Sequence, residues 1–305
     1  MGVLLASLGL ALSSEQGDAY RSTTTIRVHS DLVLIPVTVT DGRGKTVAGL
    51  EKEHFTLYED EAPQEITHFG TEDGPASIGL VLDTSQSMKP RLRKAREAVA
   101  ALLNTANSQD EFFLVQFSTR PLLVVPMTAE REAIRNRVER LEANGSTALL
   151  DAVTLALMEM QNAHNARKAI VIISDGEDNS SSCSMGDFME RVRESDALLY
   201  AIGITDSAYS SQIWPPPPKP AGSALLSEIA NQTGGRLFEV NHLKQLPEIA
   251  SRIGALLRNQ YVLGYAPNNS EKNGRYHRVQ VKLTKPKGFP RLHAVWRLGY
   301  YSPAE

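Results

Sequence analysis

The sequence predicts an α/β fold: a doubly wound, mostly parallel sheet inserted into an antiparallel β-sandwich-like domain. Three observations carry that expectation. Buried apolar runs alternate with amphipathic helical stripes through the middle of the chain, the pattern of a parallel sheet covered on both faces. Period-two alternation appears on both sides of that region. Two of the apolar runs end in turns rich in carboxylates and hydroxyls.

The 305 residues can hold one large domain or two of ordinary size. With 42% hydrophobic and 22% charged residues, the chain can build a substantial core. A net charge of −3 gives no global attraction to nucleic acid, and none is expected as a partner.

The chain opens on an apolar, small-residue stretch, Val3 to Leu12, followed by Ser13. Residues 1–21 read as the remnant of a secretory signal and a disordered N-terminus, although the positive n-region is missing. No later segment approaches the ~20 apolar residues that span a bilayer. An exported location is therefore expected: periplasm, cell envelope or outside.

Val33, Ile35, Val37 and Val39 alternate with other residues, Asp41-Gly42-Arg43-Gly44 offers a turn, and Phe55 and Leu57 start another strand. In the middle, strands are expected near 78–83, 112–118, 168–174, 198–204 and 236–240. The run 121–127 reads as an antiparallel edge after Arg120-Pro121. Leu92, Ala95, Val99, Leu102, Leu103 and Ala106 recur at helical spacing, as do Leu149, Ala152, Val153, Ala156, Leu157 and Met160. These stripes are core packing. Ile249, Ile253, Leu256 and Leu257 mark a last helix. Beyond it, Val279, Val281 and Leu283 alternate with polar residues, and Leu292, Ala294, Trp296 and Leu298 repeat the pattern. Neither flank alone has enough strands to bury a face. The expected division is a discontinuous β domain, 24–72 plus 259–302, around an α/β domain, 76–258.

Asp83-Thr84-Ser85-Gln86-Ser87 follows the buried run 78–82 and precedes a helix. One carboxylate and two hydroxyls are thus delivered to a strand-to-helix turn, all hard oxygen donors suited to Mg²⁺ or Mn²⁺. The alternative is helix capping by Asp and Ser. Gly145-Ser146-Thr147 opens a second helix, and Ser174-Asp175-Gly176 ends a second buried run. Sites in open α/β sheets form at the carboxyl ends of the strands, so the three segments are expected to converge.

This set resembles the metal-ion-dependent adhesion site of von Willebrand factor type A domains. The family pattern is Asp-x-Ser-x-Ser, then a Thr, then an Asp. Asp83, Ser85 and Ser87 match the first element, Thr147 the second (within Gly-Ser-Thr rather than Gly-Gly-Thr) and Asp175 the third. The resemblance implies direct metal contacts from Ser85, Ser87 and Thr147, with Asp83 and Asp175 acting partly through water. It also implies an open coordination position that takes an acidic residue of a protein partner. Val47-Ala48-Gly49-Leu50, Glu53-His54-Phe55, Tyr261-Val262-Leu263-Gly264-Tyr265, Tyr276-His277-Arg278 and Arg297-Leu298-Gly299-Tyr300-Tyr301 resemble the flanks of a related family of exported bacterial proteins.

Signs of catalysis are few. Neither Gly-x-Ser-x-Gly nor Gly-x-x-x-x-Gly-Lys occurs, and no His-x-x-x-His pair is found among the seven histidines. The sole cysteine, Cys183, reads as an incidental loop thiol. Arg91, Arg93, Lys94 and Arg96 read as the wet face of a helix, and Glu177 and Asp178 as solvated loop charge or as groups that tune a metal. Trp214 with Pro215–Pro218 reads as a stiff surface spacer or a partner-binding edge. The functional expectation is a non-enzymatic, metal-dependent protein-binding module. A Mg²⁺-dependent hydrolase or phosphoryl-transfer enzyme with Asp83 as nucleophile is the alternative, as is an envelope structural protein with a purely structural metal. Ser85 weighs against the enzyme, which would want a second carboxylate there.

Overall fold

A computed structural model describes residues 32–71, 74–204, 221–240, 242–268 and 273–302. The export-signal expectation for 1–21 and the Trp214–proline segment lie outside the described residues.

Period-two patterning dictates the first strand. In β1 (Val33–Asp41) the residues Ile35, Val37 and Val39 are solvent-inaccessible on one face. Strands β2 (Phe55–Glu59), β3 (Ala62–Gln64) and β4 (His68–Gly70) complete the leading flank. The trailing flank supplies β11 (Gln260–Tyr265), β12 (Tyr276–Leu283), β13 (Leu292–Trp296) and β14 (Gly299–Tyr301). These strands form two antiparallel sheets, ordered β13-β1-β11-β4 and β14-β12-β2-β3, and each sheet draws on both flanks. Ile35, Val37 and Leu263 of one sheet share a core with Leu57, Val279 and Val281 of the other. Two half-apolar sheets closing over one core is the sandwich solution to covering both faces.

Between the flanks run β5 (Ala76–Asp83), α1 (Leu92–Asn104), β6 (Glu111–Phe117), β7 (Pro121–Thr128), α2 (Arg131–Glu139), α3 (Leu149–Glu159), β8 (Arg167–Ser174), α4 (Met185–Glu194), β9 (Leu198–Ile204), α5 (Ala221–Gln232), β10 (Arg236–Val240) and α6 (Leu246–Arg258). The sheet order is β10-β9-β8-β5-β6-β7, with β7 alone antiparallel, at the edge. This mixed sheet has a parallel core covered on both faces and flanked by the two antiparallel sheets.

Every residue of β5 is buried. Ile78, Leu80 and Leu82 face α1 and α6, while Val81 faces α3 and the other helix layer. Gly79 leaves room for the Phe113 ring, which would stand 2.2 Å from an added Cβ. The chain runs from β5 outward to β6 and β7, then returns to β8 on the other side of β5. The switch in winding direction therefore falls between β5 and β8, which is where such sheets open a crevice.

The layers are tied across their boundary by arginines. Arg252 of α6 donates to the carbonyl of Gly44 at 2.6 Å, and Arg297 donates to the carbonyl of Glu194 at 3.3 Å.

Candidate metal centre at the carboxyl edge of the parallel sheet

Asp83 is the last residue of β5 and Ser174 the last of β8. The Ser174 hydroxyl donates to Asp83 Oδ2 at 2.6 Å, and the Ser85 amide donates to Asp83 Oδ1 at 2.8 Å. Asp83 has no solvent exposure. Burial pushes its carboxyl up to about 6 against those two serines, and the nearby Asp175 adds to the rise. A buried carboxylate held this way favours a neighbouring cation.

The other segments are brought to it by backbone bonds. The Gln86 amide donates to Gly145 O at 2.9 Å and the Asn144 amide to Thr84 O at 2.8 Å. Gly145 can make that turn because its φ is +75°, a left-handed conformation that costs glycine little. Thr147 is held by the next loop: its amide donates to Asn179 Oδ1 at 2.9 Å, and its carbonyl accepts the Asn179 amide at 2.9 Å and the Ser180 amide at 3.0 Å. Its side chain is buried. Asp83, Ser85, Ser87, Thr147 and Asp175 thus lie on segments knitted into one sheet edge.

The donor set suits a hard dication. Ser85 Oγ and Ser87 Oγ are 3.0 Å apart. Neighbouring oxygens of an octahedral shell with bonds of about 2.1 Å are about 3.0 Å apart, so the pair can serve as one edge of such a shell. Hydroxyl and carboxylate oxygens without thiolate or imidazole are donors for hard cations rather than soft ones.

Arg91 corrects the expectation of a wet helix face. Arg93 is exposed, but Arg91 at the start of α1 is buried, and its Nη1 contacts Asp175 Oδ2 at 3.3 Å and Ser87 O at 2.9 Å. Sequence reading missed it because a guanidinium four positions after Ser87 fits a helical surface stripe equally well. Asp178 is not solvated charge either. Its Oδ1 accepts the Leu149 amide at 2.8 Å and the Ser181 hydroxyl at 2.6 Å, capping α3 from a distant loop. Asp151 in the first turn of α3 accepts the Ser182 and Cys183 amides at 2.8 and 3.0 Å. Partial burial raises the Asp151 carboxyl, but those bonds outweigh it and hold it at about 2. The Cys183 thiol is pushed up to about 11, first by burial and then by Asp151. A thiol so placed is unreactive near neutrality.

A second cluster lies in the antiparallel sheets. Glu59, Asp60 and His277 each place a ligand atom within 4.8 Å of the others, a set that could hold a metal. The His277 ring in β12 is buried, with Nδ1 2.9 Å from Asp60 Oδ2. Glu59 already accepts the hydroxyls of Tyr265 and Tyr300, the latter at 2.8 Å. Sequence spacing gave no hint of it, since Glu59 and His277 come from opposite flanks.

An open α/β sheet with oxygen-bearing side chains gathered where its winding reverses defines the class. Residues 78–177 match the family model of the von Willebrand factor type A domain. The chain is a protein containing a von Willebrand factor type A domain. A chain described as von Willebrand factor type A from Catenulispora acidiphila superimposes with a TM-score of 0.52 at 15% identity, covering 91% of this chain and 75% of that one. An uncharacterised protein of Borreliella burgdorferi is 25% identical over 192 residues, 54% of either chain. Human inter-alpha-trypsin inhibitor heavy chain H4 is 26% identical over 167 residues, 50% of this chain and 17% of its own length. The aligned region thus spans about half of the bacterial relative and a sixth of the human one.

Proposed function

We propose that this protein is a non-enzymatic, metal-dependent binding module of the exported class. Ser85, Ser87 and Thr147 would hold Mg²⁺ or Mn²⁺, with Asp83 and Asp175 behind them, and the open face of the ion would take an acidic residue of a protein partner. The observation that carries this reading is the meeting of Asp83, Ser85 and Ser87 with the Gly145–Thr147 and Ser174–Gly176 turns at one edge. When bound, the ion supplies a Lewis-acidic coordination position that favours a carboxylate oxygen. The chain's own part is to orient hydroxyls toward that position and to keep Asp83 dry, so that its charge acts through Ser85 and Ser174.

The nucleophilic role for Asp83 is disfavoured by its surroundings, because both oxygens are engaged and the group is sealed from solvent. In the same proposal the two flanks form one discontinuous β domain, 24–72 with 259–302, that carries the module. No described helix is long and apolar enough to cross a membrane.

The test is capture of partners from envelope extracts in Mg²⁺ and in EDTA, with wild type and Asp83→Ala. Capture that requires both the metal and Asp83 supports the reading. Identical capture under all four conditions refutes it, and a melting temperature lowered by EDTA would then identify a structural metal.

A further inference from the structure

We infer that Arg91 is a resident cation of the candidate metal centre and competes with the divalent ion for it. This rests on the metal-binding reading above and deepens it.

The geometry is specific. Arg91 immediately precedes α1, four residues after Ser87, and its Nη1 bridges two parts of the site: the Ser87 carbonyl at 2.9 Å and Asp175 Oδ2 at 3.3 Å. Ser87 and Asp175 are two of the five residues proposed for the ion. The Arg91 and Asp175 side chains are only 10% and 11% exposed, so water screens the pair weakly. One positive charge already lies against a carboxylate that the dication also needs.

A dication and a guanidinium a few ångströms apart in a poorly solvated crevice repel strongly. Loading the metal therefore requires Arg91 to release Asp175, to swing away, or to stay at the expense of affinity. Each route makes the observed affinity weaker than the oxygen ligands alone would give. Because Arg91 also holds the Ser87 carbonyl, its release frees the hydroxyl-bearing turn and the start of α1 together. The centre then has two arrangements: one neutralised by arginine and one neutralised by metal. A ligand that binds them unequally shifts their populations.

The experiment is Mg²⁺ and Mn²⁺ titration by calorimetry of wild type, Arg91→Met, Arg91→Lys and Asp83→Ala. In parallel, the Arg91 Nε–H signal of the wild type is followed by NMR. Arg91→Met should bind Mg²⁺ at least about tenfold more tightly than wild type, since a like charge has been removed from the site. Arg91→Lys, which keeps a cation, should stay within about threefold of wild type. The Arg91 Nε–H signal should shift as the wild type saturates with Mg²⁺. Equal affinity of wild type and Arg91→Met overturns the inference while leaving the metal site standing. Arg91→Lys as tight as Arg91→Met overturns it too, because charge would not be the cause. If Arg91→Met does not fold, the wild-type NMR signal decides: a signal unmoved at metal saturation overturns the inference. Absence of binding in wild type, Arg91→Met and Asp83→Ala alike overturns the metal-site reading and this inference together.

Discussion

The Ser174 hydroxyl donates to Asp83 Oδ2 across 2.6 Å and joins the last residues of two neighbouring strands, 91 positions apart in sequence. Without it the buried carboxylate would keep one fewer donor. In metal-free buffer at pH 7, Ser174→Ala should cost about 1–2 kcal/mol of stability by urea denaturation. Asp83→Asn removes the buried charge while keeping the shape, so it should be neutral or stabilising under the same conditions. A Ser174→Ala variant as stable as wild type would show that the bond does not support Asp83.

Metal should stabilise the fold through the same residues. At a Mg²⁺ concentration a hundredfold above Kd, linkage gives about 2.7 kcal/mol. Thermal melts in Mg²⁺ and EDTA should differ for wild type and coincide for Asp83→Ala. A shift of equal size in both proteins would place the ion elsewhere, with Glu59, Asp60 and His277 the set to examine next.

How much of this was legible in the sequence follows from what each signal depends on. The strands and helix stripes are local periodicities, and Ile35, Val37, Leu92 and Val153 are buried as their spacing predicts. The Asp83–Ser87 turn and the Asp175 turn are equally local, since both close a buried run. Arg91 and Asp178 were not legible, because their roles depend on partners 84 and 29 positions away. The pairing of Glu59 with Tyr265 and Tyr300 spans 206 and 241 positions and had no sequence signature at all.

Asp151 makes the loop after β8 sensitive to strong acid. Its folded carboxyl lies near 2, below the ordinary value of 3.8. A depressed carboxylate contributes stability that is full above the unfolded value and is lost as pH falls through the folded one. The Ser182 and Cys183 amide signals should therefore be constant above about pH 4 and titrate with a midpoint near 2. Asp151→Asn should abolish that titration and make Cys183 react faster with a thiol reagent at pH 8. An unchanged reaction rate would mean burial alone protects the thiol.

The Glu59 carboxylate should be costly to leave short of donors. Its hydroxyl partners are pushed well above the usual tyrosine range, by burial first and then by Glu59 itself. Tyr300→Phe removes the 2.8 Å bond and should cost about 1–3 kcal/mol. Tyr300→Phe combined with Glu59→Gln should recover part of that loss in a double-mutant cycle. Additive losses would show that the two groups do not act as a pair.

Strands β4 and β11 pair side by side, Gly70 opposite Val262, so the chain leaves for the α/β layers and comes back at one place. That arrangement has a kinetic meaning. The Tyr261 hydroxyl and the Val47 carbonyl it binds are 214 positions apart. Closing a flexible loop of that length costs about 5 kcal/mol in chain entropy, whereas a span of about ten residues costs about 2. Once the intervening layers are folded, their adjacent ends shorten the effective span. The order of events is thereby biased: the inserted layers assemble first, and the two antiparallel sheets close last, around a neck already drawn together. In pulse-labelled hydrogen exchange during refolding, amides of β5 and β8 should gain protection before those of β1 and β11.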